Sequence, residues 1–282
     1  MMMTAAGDDL GQQILPTLRE LLGLAEERAA AYASAAPCPH AVLDNLVDGA
    51  ALGRVVAEMP ALSERGWTTW DTTHEWKHVF DQPEQFGPTA RQLYQELNSS
   101  EFVQFLERLT GIGGLIPDPH LHAAGYFNVE RGGFLNVHLD FTRNPLLDLD
   151  RRVNVLVYLN SDWQPEWGGQ LELWDSLEHG PATVINPTMG RMVVFSTPGA
   201  AHGHPQPVRA PDGRSRLCFS AYYFTSPNAA VARPHHGVVF NDLVGGSRAG
   251  RLARRLAPPI VVDGARRAAQ VTRQLSVRLR AG

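Results

Sequence analysis

The run FLNVHLDF, from Phe134 to Phe141, alternates apolar and polar side chains and predicts a β-strand. A strand places residues i and i+2 on one face, about 6 to 7 Å apart along the chain, so His138 and Asp140 point the same way and can share one metal ion. With 11 histidines and 29 acidic residues in 282, chance alone supplies about one His-x-acid pair, so this pair acquires meaning only from its surroundings. Outward from it, the runs VNVLVYLN (153–160), QLELWD (170–175), RMVVFST (191–197) and LCFSAYYF (217–224) are separated by clusters of Gly, Pro, Asn and Asp. Short strands punctuated in this way predict a sandwich or small barrel between about His120 and Phe224. VNVLVYL and MVVF are apolar on both faces, as expected for strands covered by helices on one side and by a partner sheet on the other.

The cover comes from the N-terminal third. Leu10, Ile14, Leu18, Leu21, Leu22 and Ala25 keep helical spacing between Asp9 and Ala33, and a second helical stretch runs near Ala50 to Met59. A third covers Pro88 to Leu109, where Leu93, Leu97, Phe102 and Leu106 recur three to five residues apart. After Pro227 the chain carries ten arginines against Asp242 and Asp263, a charge of +8 where the rest carries −12. RLARRL and GARRAAQVTRQLSVRLR there read as amphipathic helices with Leu and Val inward and Arg in water. The expected organisation is one structural domain in three parts: a helical region over 1–118, a β core over 119–226 and a basic, helical extension over 227–282.

Composition agrees with a globular protein that buries a large core: 44 % hydrophobic, 19 % charged, net −4. No stretch reaches the roughly 18 apolar residues of a membrane span, and Met1 to Leu18 lacks a basic region followed by an apolar run. Cys38 and Cys218 are too few for a disulfide framework, which fits a reducing compartment, and a cytoplasmic location is expected.

Sixty-four residues after His138 comes a second histidine cluster, STPGAAHGHPQP (196–207). Two histidines and one carboxylate on a β framework, with coordination positions left open, make the facial triad of non-haem Fe(II) oxygenases, whereas a zinc-thiolate site would need a cysteine pair. On the last strand, alternation sets Arg216, Cys218, Ser220 and Tyr222 on one face. An arginine among apolar residues inside a barrel needs an anion, which a carboxylate in a bidentate fork provides. The alternatives are one of the protein's own carboxylates as partner, or solvent at the strand end. Tyr158 shares a face with Asn154 and Leu156 and can offer its hydroxyl to the same carboxylate.

From Pro39 to Phe224 the chain resembles the 2-oxoglutarate and Fe(II)-dependent oxygenases of the prolyl 4-hydroxylase type. The likeness is carried by FGPTARQLYQELNSSEFVQFLERLTGIGGLIPDPHLHAAGYF (86–127), GGFLNVHLDFTRNPLLDLDRRVNVLVYLNSDWQPEWGGQLELWD (132–175) and HGHPQPVRAPDGRSRLCFSAYYFT (202–225). It implies a double-stranded β-helix, or jelly-roll, core with helices packed on one sheet. It further implies Fe(II), 2-oxoglutarate and O2 as cofactors, with ascorbate as a reductant. Position by position, His138, Asp140 and His202 would hold the iron, with His204 as the alternative second histidine. Arg216 would pair with the distal carboxylate of 2-oxoglutarate, and Tyr158, Tyr126 and Cys218 would complete the co-substrate site. Related sequences commonly have serine at the place of Cys218, so a hydrogen bond there would be weaker. Related halogenases lack the carboxylate that Asp140 supplies, so hydroxylation is the expected outcome.

Substrate contacts are expected from Arg131, Asn136 and Arg143, which flank the metal pair, and from His122, which alternates with His120 on a strand. Leu156, Leu171 and Phe195 would line the pocket, and Trp163, Trp167 and Trp174 would support the turn at Gly168 and Gly169. The expected activity is hydroxylation of an unactivated C–H of a small molecule, an amino acid or biosynthetic intermediate, releasing succinate and CO2. The alternatives are a peptidyl prolyl hydroxylase and, further off, a non-catalytic metal-binding interaction module. The chain is expected as a monomer or homodimer, with neither a membrane nor a nucleic acid as partner.

Overall fold

Strand β8 (Leu149–Tyr158) shows why its sequence is apolar throughout: Val153, Val155 and Val157 pack into a helix-covered layer, while Leu156 and Tyr158 join a second cluster with Leu171, Leu173, Phe195 and Cys218. The computed structural model describes residues 13–178, 180–227 and 235–241. In chain order its elements begin with α1 (Leu18–Ser34), β1 (His40–Leu43), α2 (Gly49–Ala57), β2 (Thr68–Asp71), β3 (Glu75–Phe80), α3 (Pro88–Leu97) and α4 (Ser100–Thr110). Then come β4 (Ile116–Pro117), β5 (Gly125–Val129), β6 (Phe134–Leu139), β7 (Arg143–Asn144), β8, β9 (Leu171–Trp174), β10 (Pro181–Ile185), β11 (Met192–Ser196), β12 (Ala201–His204), β13 (Arg216–Thr225) and β14 (Val239–Phe240). The main strand order is β1-β11-β8-β13-β5-β3-β6-β12-β9-β10, and every pairing is antiparallel. This mainly β, curled arrangement with a few helices on one side is the jelly-roll architecture expected from the sequence.

The helices follow local rules. Thr17 and Glu20 form a capping box that starts α1, and the backbone amides of Ile14 and Leu15 bond the Glu96 carboxylate at 3.0 and 2.7 Å. Those amides are therefore spoken for, and with Pro16 they keep residues 13–17 out of the helix predicted from Asp9. The helix predicted over 88–109 is two, because Ser99 caps α4 by accepting from Phe102 N at 3.2 Å. Leu21, Tyr32, Leu52, Leu93, Phe102 and Phe105 from these helices meet Val155, Val194, Phe219 and Tyr223 of the sheet, each fully buried large side chain contributing about 1.5–3 kcal/mol.

Two parts of the organisation differ from the sequence expectation. The 1–118 region is not only helical: β1 adds to the outer edge next to β11, and β3 joins β5 to β6. In EWKHVF, the sequence of β3, Lys77 and His78 interrupt the apolar pattern, so the segment carries little strand signal of its own. Within 227–282 the described residues hold a strand and no helix: β14 pairs with β6, with Phe240 opposite His138. The proposed helices RLARRL and GARRAAQVTRQLSVRLR lie outside the described residues. Among the described residues no helix is long and apolar enough to cross a membrane.

Candidate metal centre

β6 and β12 lie side by side with His138 directly opposite His202, and Asp140 follows just beyond the end of β6. One nitrogen or oxygen from each of the three lies within 4.8 Å of the others, and all three side chains are buried. Asp140 Oδ1 is 3.5 Å from His138 Nε2, and Oδ2 is 3.6 Å from His202 Nε2. Each imidazole donates its Nδ1–H to a backbone carbonyl two residues back, His138 to Asn136 and His202 to Ala200, both at 2.9 Å. That bond fixes the tautomer and leaves the Nε2 lone pair facing the carboxylate. Two neutral imidazole nitrogens and one carboxylate are the donor set that suits Fe(II), so the residues present fit the metal. Gly203 sits between the histidines where the strands come closest; a Cβ there would lie 2.7 Å from Leu135 O. Glycine is what allows β12 near enough to β6 for the rings to meet, with centroids 4.5 Å apart.

The carboxylate is held by Asn154, which alternation places on the face of Tyr158, and by Arg151, which alternation does not place there. Arg151 Nη2 lies 3.0 Å from Asp140 Oδ2, and Asn154 Nδ2 donates to the same oxygen at 2.8 Å. Arg151 also donates from Nε and Nη2 to Asn154 Oδ1, at 3.0 and 2.8 Å, and its guanidinium lies over the rings of Tyr222 (3.5 Å) and Phe141 (4.4 Å). Pure alternation would put Arg152 on the face of Asn154. A register shift opposite Tyr223 and Phe224 instead pairs Val153 with Tyr223 and Arg151 with Phe224, so Arg152 is the extra residue and Arg151 swings inward. Burial opposes ionisation of Asp140, but Arg151 and then the two imidazoles outweigh it and hold the carboxyl well below its usual range. Burial pushes His202 down to about 4, so it is a neutral donor at physiological pH.

A second polar group lies on the same interior face. Cys218 pairs with Tyr158, Ser220 with Leu156 and Tyr222 with Asn154, so the face that ends at Asp140 begins at Arg216 and Tyr158. Tyr158 and Asn154 are four residues, about 13 Å, apart along the strand. Arg216 is 4 % exposed, donates from Nε to Gly169 O at 2.6 Å and from Nη2 to the Tyr158 hydroxyl at 3.3 Å. Among the described residues no carboxylate lies within 4 Å of it, which removes the alternative of an internal ion pair. A buried guanidinium with no carboxylate partner is a site for an anion. Gly169, at φ +72°, leaves room for it: a Cβ would sit 2.8 Å from Arg216 Cδ. Burial pushes the Cys218 thiol up to about 12, so it stays a thiol, 3.6 Å from Phe219 O.

Other expected site residues are placed elsewhere. Tyr126 faces the helices: its ring meets Phe86 and Phe219, and its hydroxyl donates to Val55 O at 3.3 Å. Its neighbour Phe127 takes the inner face with Cys218, so Tyr126 is not a co-substrate residue. Tyr126→Phe is expected to cost about 1 kcal/mol of stability and to leave 2-oxoglutarate affinity unchanged; a several-fold weaker Kd would return Tyr126 to the co-substrate site. Arg131 is exposed and donates to Ala210 O at 2.9 Å. Arg143 is engaged with Asp148 (2.5 Å), Asp150 (3.9 Å) and His235 (3.1 Å). Asn136 is buried and contributes its carbonyl to His138.

His120 and His122 lie in a turn, not a strand, because the buried Asp118 accepts from both backbone amides at 2.9 Å. The His122 ring meets Phe141 edge-on at 5.8 Å, near Arg151. His204 is buried but stands outside the three-residue cluster. Leu156, Leu171 and Phe195 share the apolar cluster behind the face, and Trp163 Nε1 donates to Gly168 O at 3.0 Å, supporting the turn as expected.

Residues 121–224 match the family model of the 2OG-Fe(II) oxygenase superfamily. No curated protein matches the chain. Among solved structures, the fold is similar to a Pseudomonas putida prolyl-4-hydroxylase at TM-score 0.52 and 18 % identity, covering 73 % of this chain and 100 % of that one. It is also similar to a Trichoplax adhaerens prolyl hydroxylase in complex with a hypoxia inducible factor peptide fragment, at TM-score 0.54 and 18 % identity, covering 77 % and 96 %. A third is the epimerase SnoN in complex with Fe3+, alpha ketoglutarate and nogalamycin RO, at TM-score 0.50 and 15 % identity, covering 77 % and 96 %. At such identities the likeness speaks for the fold, and the donor cluster and the family match speak for the chemistry. Residues 121–224 thus match a 2OG-Fe(II) oxygenase on a prolyl 4-hydroxylase-like fold, with Fe(II), 2-oxoglutarate and O2 as cofactors.

Proposed function

We propose that the protein hydroxylates an unactivated C–H of a small molecule, an amino acid or a biosynthetic intermediate. His138, His202 and Asp140 bind the metal in this reading, and Arg216 with the Tyr158 hydroxyl receives the distal carboxylate of 2-oxoglutarate. The observation that carries it is one interior face holding the buried donor cluster at one end and a buried arginine without a carboxylate at the other. When bound, the cofactors supply the oxidising chemistry: 2-oxoglutarate is decarboxylated to succinate and CO2 as O2 is consumed, and one oxygen atom goes to the substrate carbon.

The chain's part is binding and orientation. Asn136 and Ala200 carbonyls aim the two imidazoles, while Arg151 and Asn154 occupy Asp140 Oδ2. Leu156, Leu171 and Phe195 form an apolar wall that excludes water from the reacting centre. A small substrate is favoured by the enclosure of the cluster: the three side chains are 5–8 % exposed, and Phe240 of β14 packs on His138 at 5.4 Å.

The first test is anaerobic addition of Fe(II) and then 2-oxoglutarate to metal-free protein, read as the weak visible charge-transfer band. The band is expected in wild type and absent in His138→Ala. Succinate release is then screened with amino acids, metabolites and prolyl peptides. Stimulation by prolyl peptides alone would replace the small-molecule reading with a peptide hydroxylase, and a product altered only in configuration would replace hydroxylation with epimerisation.

A further inference from the structure

Among the buried polar groups that the mechanism above leaves unused is a histidine next to the metal cluster on β12. His204 is 4 % exposed, and its Nδ1 has no hydrogen-bond partner. It stands two residues beyond His202 on β12. The irregularity in the pairing of β12 with β6 lies on the β6 side, where Asn136 and Val137 oppose Gly203 alone, so β12 keeps its alternation and His204 shares the inner face with His202. Two permanently cationic side chains act on it, Arg216 first and then Lys77, the chain's one lysine. Lys77 itself is paired with Glu75 at 2.9 Å. An imidazole ring carries an N–H that can donate to an acceptor. It is not part of the metal cluster. An apolar side chain would fill the position without leaving a buried nitrogen unpaired, and such unpaired groups point to a ligand that completes them.

The other donors on this inner face include Arg216, the Cys218 thiol and the Ser220 hydroxyl. Arg216 is joined only to Gly169 O and the Tyr158 hydroxyl, and the Cys218 thiol is a weak donor. We infer that His204 is a 2-oxoglutarate-binding residue, donating its imidazole N–H to a carboxylate of the co-substrate beside Arg216. The inference rests on the oxygenase reading above and adds a residue to it. An imidazole N–H donated to a carboxylate is a charge-assisted bond, and its loss is expected to weaken binding roughly ten- to a hundredfold.

The test is an equilibrium titration that needs no turnover. 2-Oxoglutarate is added anaerobically to Fe(II)-loaded protein, and its Kd is read from the charge-transfer band for wild type, His204→Leu, His204→Met and His204→Gln, with Fe(II) affinity and Tm measured for each. The Leu and Met variants are expected to bind 2-oxoglutarate at least about tenfold more weakly at unchanged Fe(II) affinity, and the Gln variant, which keeps a donor, to stay within about threefold of wild type. Leu and Met variants within about twofold of wild type would overturn the inference, as would a Gln variant weakened as much as Leu. A wild type that binds Fe(II) but gives no band overturns the oxygenase reading itself, and the His204 role with it; a normal wild-type band with unaffected variants overturns the His204 role alone.

Discussion

Arg151→Met is expected to cost the metal-free protein about 3–5 kcal/mol of stability, and a bound divalent metal to recover much of it. Without the guanidinium, Asp140 keeps its charge in a site 8 % exposed, with Asn154 as its remaining hydrogen-bond donor on Oδ2. Asn154 Oδ1 loses both of its Arg151 bonds in the same change. Methionine refills the space between Tyr222 and Phe141 but supplies neither charge nor donor. In a domain of this size each kcal/mol shifts Tm by about 2–4 °C, so a fall of roughly 10 °C in EDTA is expected by calorimetry. Adding Mn(II) or Fe(II) under argon should raise the variant's Tm by more than the wild type's, because the metal restores the countercharge. In the metal-free protein Asp140→Asn combined with Arg151→Met should be less destabilised than Arg151→Met alone, the sign expected for a broken buried pair. A Tm within about 2 °C of wild type in EDTA would show that water screens Asp140 and that the pair is not a structural element.

Arg216→Met should weaken 2-oxoglutarate binding by at least about a hundredfold, from the two or more charge-assisted bonds that one carboxylate loses. Fe(II) affinity should be unchanged, since the cluster of His138, Asp140 and His202 does not include Arg216. Arg216→Lys should recover only part of the loss: an ammonium keeps the charge but cannot match a carboxylate in a planar fork, nor reach Gly169 O and the Tyr158 hydroxyl together. Stability should change far less than binding, because methionine relieves the buried, uncompensated charge. The measurement is the same anaerobic titration, and a Kd within threefold of wild type would place the co-substrate's distal carboxylate elsewhere.

These two arginines divide cleanly in how far the chain's linear pattern reveals them. Arg216 was legible because β13 is regular from Arg216 to Tyr223, so counting by twos places it with Cys218, Ser220 and Tyr222 on the inner face. His138 and Asp140 were legible for the same reason, since period two operates over three residues and needs no knowledge of neighbours. The helical cover could be read from apolar spacing because Leu21, Leu52, Leu93 and Phe105 all face one buried layer.

Arg151 could not be read, because one extra residue inverts the parity of everything before it, and that residue is defined by the partner strand β13. The direction of Tyr126 was likewise undetermined: a five-residue strand with apolar residues on both faces gives no parity, and packing against Phe86 and Phe219 made the choice. His202 and His204 share one face of one strand, and only the register that puts His202 opposite His138 decides which of them meets Asp140. Short-range periodicity thus determined the fold class, the two ends of the site and most of its chemistry. Strand register, bulges and the return of Phe240 to His138 decided which side chains complete it, because those contacts join residues up to about a hundred positions apart and are settled by packing.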